Sequence, residues 1–564
     1  MQGQLVLLWL AFPVLALKWR GEETQHLYVP VAEHSVQPIS RVEIRDFFTP
    51  TNEKEASLFL LAFEYIQREL NETDPRSFAA LASIHGEPTS VVFDSYPGEK
   101  MHGGYCQHGN VLFPTWHRPL IALVESVIID VALNVIAPRY ASNDSQSWMD
   151  AATSIRFPYY DWASDASFHD PHPSIFGLNT VEVLSPPYGR RTNISNPLYD
   201  FTVPTRYHAN FPQKLRKYPS TTYREGFLDR RLVCQSRDQV RLLFDPAFSS
   251  NWSDFSNHST NKSDRNNTDP RIFHSVEYIH DKIHVAVGGY MGRPALAAYD
   301  PFFYFHHCNV DRLIALHQAT VGGFLDAVNA SQPLAPFRIR ANSDATWTSN
   351  DARSVLALGY TYPELVDGAH GEDLRRRLLR QYSFVHPDHH VKADAAAMMA
   401  ESGKQAGSTW KDLVPKLSFS GDSEDGIDRK STSGWTSVYA HFMVDKDAIG
   451  DAFRINFYVK GRFAAMAGVF AMLNHRNPHG IHELVLGGNA VLTHELMKEG
   501  LLGKPELWKE AVTIEVIDSD GESINLDRLP SLWIGVAAHE SQDVRLLESE
   551  EGSGNWSGVL VLHP

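Results

Sequence analysis

Cysteine is almost missing from this chain, whose 564 residues hold three, Cys106, Cys234 and Cys308. Three thiols close at most one disulfide, which excludes a disulfide-stapled scaffold. Long apolar runs are scarce as well. The first residues, M-Q-G-Q-L-V-L-L-W-L-A-F-P-V-L-A-L-K, hold an apolar stretch of about 13, the length of a signal-peptide core and too short to cross a bilayer. A signal peptide over residues 1–18 is therefore expected, with a packed N-terminal strand as the alternative, and stable membrane insertion is not expected. Positive charge is in deficit. Against 67 Asp and Glu stand 51 Lys and Arg, a net charge of -16 that repels phosphate and argues against a nucleic-acid partner. The short basic run Arg375-Arg376-Arg377 reads as the solvated face of a helix. No internal repeat is found.

What is present is enough for two folded units, since 564 residues with 43% apolar content exceed one ordinary domain. Residues 386–432, rich in Ser, Gly, Asp, Lys and Ala, read as a flexible, protease-sensitive linker. Beyond it, residues 433–564 alternate apolar and polar positions, as at Phe453, Ile455, Phe457 and Val459, which marks a mostly β, sandwich-like domain with a helical insert at T-H-E-L-M-K-E-G-L-L. The stretch 140–270 is loop-rich, with F-P-Y-Y-D-W-A as its landmark and an Asn- and Ser-rich exposed loop over 249–268. Glycosylation sequons stand at Asn71, Asn143, Asn193, Asn251, Asn257, Asn261, Asn266, Asn329 and Asn555. Their abundance favours a glycoprotein on the secretory route, with a cytoplasmic location as the alternative.

Two histidine clusters carry the chemistry. In S-V-E-Y-I-H-D-K-I-H, His280 and His284 are four apart, so a helix projects both from one face, and D-P-F-F-Y-F-H-H-C-N-V-D-R adds a third imidazole from the next helix. The first cluster is His85, at the end of S-F-A-A-L-A-S-I-H, then His108 and His117 in Y-C-Q-H-G-N-V-L-F-P-T-W-H-R-P. Two sets of three imidazoles suit a redox-active ion that stays open to a further ligand. A zinc protease would carry Glu after the first His of H-x-x-x-H, and here that residue is Asp281. Neighbouring helical residues point about 100° apart, so one of His306 and His307 faces a metal and the other supports it. His102, His274 and His317 read as ordinary polar or capping residues.

These motifs resemble the fungal tyrosinase and polyphenol oxidase family of type 3 copper proteins. The resemblance extends over about residues 40–385 and includes Tyr360-Thr361-Tyr362, similar to the Tyr-x-Tyr signature that closes the family's catalytic domain. It implies a mainly α catalytic domain over 19–385 with a four-helix bundle around a dicopper centre. His85, His108 and His117 would bind the first copper ion and His280, His284 and His307 the second, with dioxygen as co-substrate and His306 in support. Cys106 stands where fungal members join Cys to His108 by a thioether bond. Monophenols would become o-diphenols, and o-diphenols o-quinones, on the way to melanin. A catechol or o-aminophenol oxidase with little hydroxylation is one alternative, and a haemocyanin-like oxygen carrier another. A homo-oligomer is open.

By family position, Glu277 would hold a water that deprotonates the phenol. Asp281 stands where many efficient monophenolases have Asn, and its charge opposes an incoming phenolate. Phe303, Phe113 and Val285 match positions that gate the substrate, and each aromatic has core packing as its alternative reading. The resemblance also implies that the C-terminal domain lies over the coppers as a zymogen lid and inserts an aromatic side chain, drawn from the stretch Phe457 to Phe470. Limited proteolysis of the native chain should cut first between residues 386 and 432, as peptide mass mapping of the earliest fragments would show.

Overall fold

Each histidine cluster is carried by helices whose limits follow local chemistry. The structure is a computed structural model that describes residues 28–30, 37–88, 105–141, 144–382, 435–471, 485–541 and 560–563, apart from 247, 250, 261–273, 341–343 and 447. The expected signal peptide, the expected linker and His102 lie outside the described residues. Helix α1 (Glu53–Arg68) packs on the bundle. Helix α2 (Phe78–His85) starts where the Ser77 side chain accepts the Ala80 N–H, and it stops at Gly86. Helix α3 (Phe113–Val131) opens with Pro114 in its first turn, where a missing N–H costs nothing. Helix α4 (Arg230–Leu243) is capped by Asp229. Helix α5 (Val276–Val287) is capped by Ser275 and ends at Gly288, whose φ of 64° suits glycine. Helix α6 (Phe302–Thr320) and helix α7 (Gly371–Gln381) follow. The run from Phe113 to Arg139 is apolar and long enough to cross a membrane, yet every residue of α3 except Ile129 is buried within the protein.

The first unit is thus mainly α. Its short strands β1 (Ile39–Ser40) and β3 (Tyr360–Thr361) pair in parallel, and β2 (Ser259–Thr260) lies between them in sequence. Within the loop-rich stretch 140–270 lie the 14 residues of α4, whose Leu232, Val233, Val240, Leu242 and Leu243 are buried at helical spacing. Trp252, Phe255 and His258 are buried, so this end of the Asn-rich segment packs one face inward while Asn251 and Ser253 stay exposed. Basic residues Arg375, Arg376 and Arg377 line the outer face of α7, while Leu374, Leu378 and Leu379 face inward.

The second unit is antiparallel β: β4 (Trp435–Asp445), β5 (Phe453–Val459), β6 (Arg462–Val469), β7 (Val485–Val491), β8 (Val512–Asp518), β9 (Ser523–Ile524), β10 (Trp533–Ser541) and β11 (Leu560–His563). They form sheets in the order β6-β5-β8-β9 and β11-β10-β4-β7-β2, with a short helix at Thr493–Lys498. Lys460 and Gly461, at φ 47° and 76°, make the two-residue turn between β5 and β6 that matches strand twist. The last strand of the second sheet is β2, a piece of the first unit: Leu486 pairs with Ser259 and Val485 with Thr260.

The two units meet where β6 lies on α5. A side chain at Gly468 would place its Cβ 2.9 Å from Lys282 Cα and 3.0 Å from the Asp281 carbonyl oxygen, so glycine sets the approach of strand to helix. From α4, Gln235 donates to the Ala464 carbonyl at 2.6 Å. Gln239 donates to the Asn489 carbonyl at 2.8 Å, and that oxygen also takes the Tyr278 hydroxyl. Replacing Gly468 by Ala should overpack this seam and destabilise the docked form by about 1–3 kcal/mol. The expected outcome is faster protease cleavage around the second unit with unchanged helix content in circular dichroism.

Candidate metal centre

The four helices α2, α3, α5 and α6, with the loop before α3, bring His85, His108, His117, His280, His284 and His307 into one buried space. Ring centroids of His85, His108 and His117 lie 5.2 to 5.4 Å apart, and those of His280, His284 and His307 4.3 to 5.5 Å apart. His307 stacks on His117 at 4.6 Å, so the two triads adjoin. The Nε2 atoms of His280 and His284 are 3.2 and 3.3 Å from that of His307.

Four rings are held from behind. Nδ1–H faces the Pro294 carbonyl at 3.2 Å in His85, the Phe113 carbonyl at 2.8 Å in His117 and the Met291 carbonyl at 2.8 Å in His284. In His280 it faces Asp281 Oδ1 at 2.8 Å. Each acceptor fixes the proton on Nδ1 and leaves the Nε2 lone pair free for an ion. Among the described residues, Nε2 of His85 and of His117 and both nitrogens of His108 have no hydrogen-bond partner although buried. Burial lowers the pKa of all six, to about 4 at His117, and at the other five the neighbouring imidazoles lower it further. They are neutral at neutral pH, as metal ligands must be. The all-imidazole donor set and the orphaned inward nitrogens fit two copper ions.

His306 also reaches this cluster, grouped with His280, His284 and His307 within 4.8 Å. Its Nδ1 accepts the Trp162 indole N–H at 3.1 Å, which puts the ring proton on Nε2 and removes the lone pair an ion would need. Trp162 belongs to F-P-Y-Y-D-W-A, and its neighbour Asp161 pairs with Arg312 at 3.1 Å, so that motif is framework. His274 and His317 are fully buried, and His317 lies flat on Phe255 at 3.7 Å, so they are core residues and not capping ones.

Residues 75–320 match the family model described as the common central domain of tyrosinase. This stretch is similar to a tyrosinase central domain. Polyphenol oxidase 2 of Agaricus bisporus is 32% identical over 367 residues, 58% of this chain, and the chain spans only 61% of that relative. A solved structure of recombinant mushroom tyrosinase aligns with TM-score 0.71 at 22% identity, over 95% of this chain and 98% of the other. Aspergillus oryzae pro-tyrosinase, in a doubly substituted mutant form, aligns with TM-score 0.68 at 19% identity, over 95% and 97%. At such identities the two structures establish a shared fold, helical unit and C-terminal β unit together.

Around the histidine site, Cys106 is buried with its sulfur grouped with His85 and His108, and burial raises its thiol to about 12. Phe303 lies 4.1 Å from His307 and 4.7 Å from His85, and Phe113 lies 4.7 Å from His117 and 4.9 Å from His280. Val285 lies under Gly468 of the second unit. Glu277 accepts the Gly109 N–H at 2.6 Å with Oε1 while its buried Oε2 has no partner among the described residues, and burial pushes its carboxyl up to about 7. Asp281 holds His280 through Oδ1, and its Oδ2 receives the Phe470 N–H at 3.3 Å and faces His258 Nε2 at 3.2 Å. Phe470 itself stacks on His284 at 4.2 Å and 22°, with His108 and His280 each 5.7 Å away. Its place at the end of an apolar strand was visible in the sequence, but nothing there singled it out from Phe457 or Phe463.

Behind the metal space, Asp311 of α6 grips Arg118 of α3 at 2.5 Å and Arg41 at 3.3 Å, and it accepts both the Tyr360 and Tyr362 hydroxyls at 2.6 Å. Burial alone would raise this carboxyl, and the two guanidinium groups hold it below the usual range. Asp311→Ala would leave Arg118 and Arg41 charged and under-partnered in the core, a loss of about 3–5 kcal/mol. The expected outcome is a lower thermal midpoint together with loss of bound metal, measured by calorimetry and elemental analysis.

Proposed function

We propose that this protein is a copper enzyme that oxidises phenols with dioxygen, hydroxylating monophenols to o-diphenols and oxidising o-diphenols to o-quinones, and that the intact chain is latent. The observation that carries the reading is six buried imidazoles, four of them aimed inward by acceptors on Nδ1. The relatives called tyrosinase and polyphenol oxidase support it. His85, His108 and His117 would hold one ion and His280, His284 and His307 the other. A thioether between Cys106 and His108 would do for His108 what a carbonyl does for His85, since neither of its nitrogens has a partner among the described residues. Bound copper supplies the dioxygen and phenolate chemistry and takes up the substrate's electrons.

The chain's own residues position the phenol and manage its proton. A free phenol has a pKa near 10, so ionising it at pH 7 costs roughly 4 kcal/mol. Glu277, with one oxygen open and a carboxyl near 7, is suited to relay that proton through a water. Phe303, Phe113 and Val285 wall the ring's approach. The charge of Asp281 is balanced by His258, which weakens the expected opposition to phenolate. Phe470 lies where a substrate ring would stack on His284, which is the basis of latency, and the likeness to a protein called pro-tyrosinase supports it. Exposed sequon residues Asn71, Asn193 and Asn251 are consistent with the secretory route.

Elemental analysis should find two copper ions per chain, and zinc in place of copper would overturn the reading. An oxygen electrode should then show slow turnover of a catechol by the uncut chain and none with His284→Ala. An aromatic pair is worth about 0.5–1.5 kcal/mol. Phe470→Ala should therefore raise uncut turnover about tenfold, the factor that corresponds to ~1.4 kcal/mol. Copper and oxygen binding without catechol turnover, before and after cleavage, would make the protein an oxygen carrier.

A further inference from the structure

His258 lies outside both histidine clusters, just before β2, and it is buried. Its two ring nitrogens face two acceptors. Nδ1 lies 3.1 Å from the Gly487 carbonyl oxygen of β7, and Nε2 lies 3.2 Å from Asp281 Oδ2. The Gly487 N–H in turn donates to the His258 carbonyl at 3.0 Å, so backbone and side chain both join the first unit to the second at this residue. A carbonyl and a carboxylate only accept, so both nitrogens carry protons and the ring is an imidazolium. Burial opposes that charge and Asp281 overrides the opposition, raising the pKa above its ordinary value. Glu277 adds to this and Lys446 works against it. Asp281 then reaches His280 through its other oxygen at 2.8 Å.

We propose that His258 is a positioning residue for His280, acting through Asp281, and that the C-terminal unit keeps it in place. The Gly487 carbonyl orients His258, His258 fixes the carboxylate of Asp281, and Asp281 sets the ring plane and proton of His280. The inference rests on the dicopper reading, because it gives His280 an ion to hold. It goes beyond that reading in assigning a function to a histidine outside both triads, and in making the second unit a contributor to the hold on metal as well as a cover. Groups that orient a ligating histidine change metal affinity by about 10–100-fold when removed.

The test uses the full chain and an equilibrium competition for Cu(I) against a chromogenic chelator without oxygen. Two variants separate the roles of the residue. In His258→Gln the longer side chain still carries an N–H to Asp281. In His258→Asn the shorter one retains a donor beside Gly487 and falls short of Asp281. The expected result is copper affinity close to wild type for His258→Gln and about 10–100-fold weaker for His258→Asn, with both variants showing wild-type resistance to protease. Equal affinity of the two variants, or wild-type affinity in His258→Asn, overturns the inference while leaving the dicopper reading intact. Failure of the wild-type chain to take up two copper ions overturns the dicopper reading itself.

Discussion

One buried carboxylate sets the geometry on which the metal space depends. Arg118 follows His117 directly on α3, and Asp311 stands one turn after His307 on α6. The 2.5 Å contact between them therefore fixes the two helices in register, and with them the two histidine triads. Arg41 extends the same knot to Glu125 at 2.9 Å and lies over the Tyr360 ring at 3.5 Å. Burying such ions is costly in itself and adds little net stability. What it provides is specificity: a helix that slid by one turn would strand a guanidinium in the core.

The second unit meets this framework through backbone more than through side chains. Gly468 lets β6 rest on α5, the Phe470 N–H bonds to Asp281, and Asn489 and Gly487 offer carbonyls to Tyr278, Gln239 and His258. Helix α5, which receives β6, the Phe470 N–H and, through Tyr278, the Asn489 carbonyl, carries His280 and His284. Access to the metal space and the shape of one of its walls are therefore set by the same surface.

Much of this was legible in the sequence, and the reasons differ by residue. The triads could be read because helical spacing forces His280 and His284 onto one face, and because Gly86 ends the helix that carries His85; the helix of His117 starts at Phe113, a turn earlier than a start at His117 would have it. The rest depended on contacts between distant segments, which leave no local periodicity. His258 sits in a polar stretch that gives no hint of burial. Phe470 differs from its neighbours only in what lies opposite. Helix α4 was hidden because its 14 residues are rich in Arg and Gln, of which Arg231, Gln235 and Gln239 face the second unit. The choice of His307 over His306 came from family position, and its physical ground is one further atom, the indole nitrogen of Trp162, 144 residues before His306.

Strand β2 has a consequence for how the two units part. Because Ser259 and Thr260 complete the sheet through β7, a cut between the units leaves them joined by strand pairing. Cleavage and separation are then distinct events, and the second has the character of peeling a strand from a sheet. Once peeled, β7 presents an open edge, the kind of surface that recruits another chain's strand. The detached unit is thus a candidate to pair with its own copies, and the segment that leaves it carries His258 away from its acceptor in the same movement.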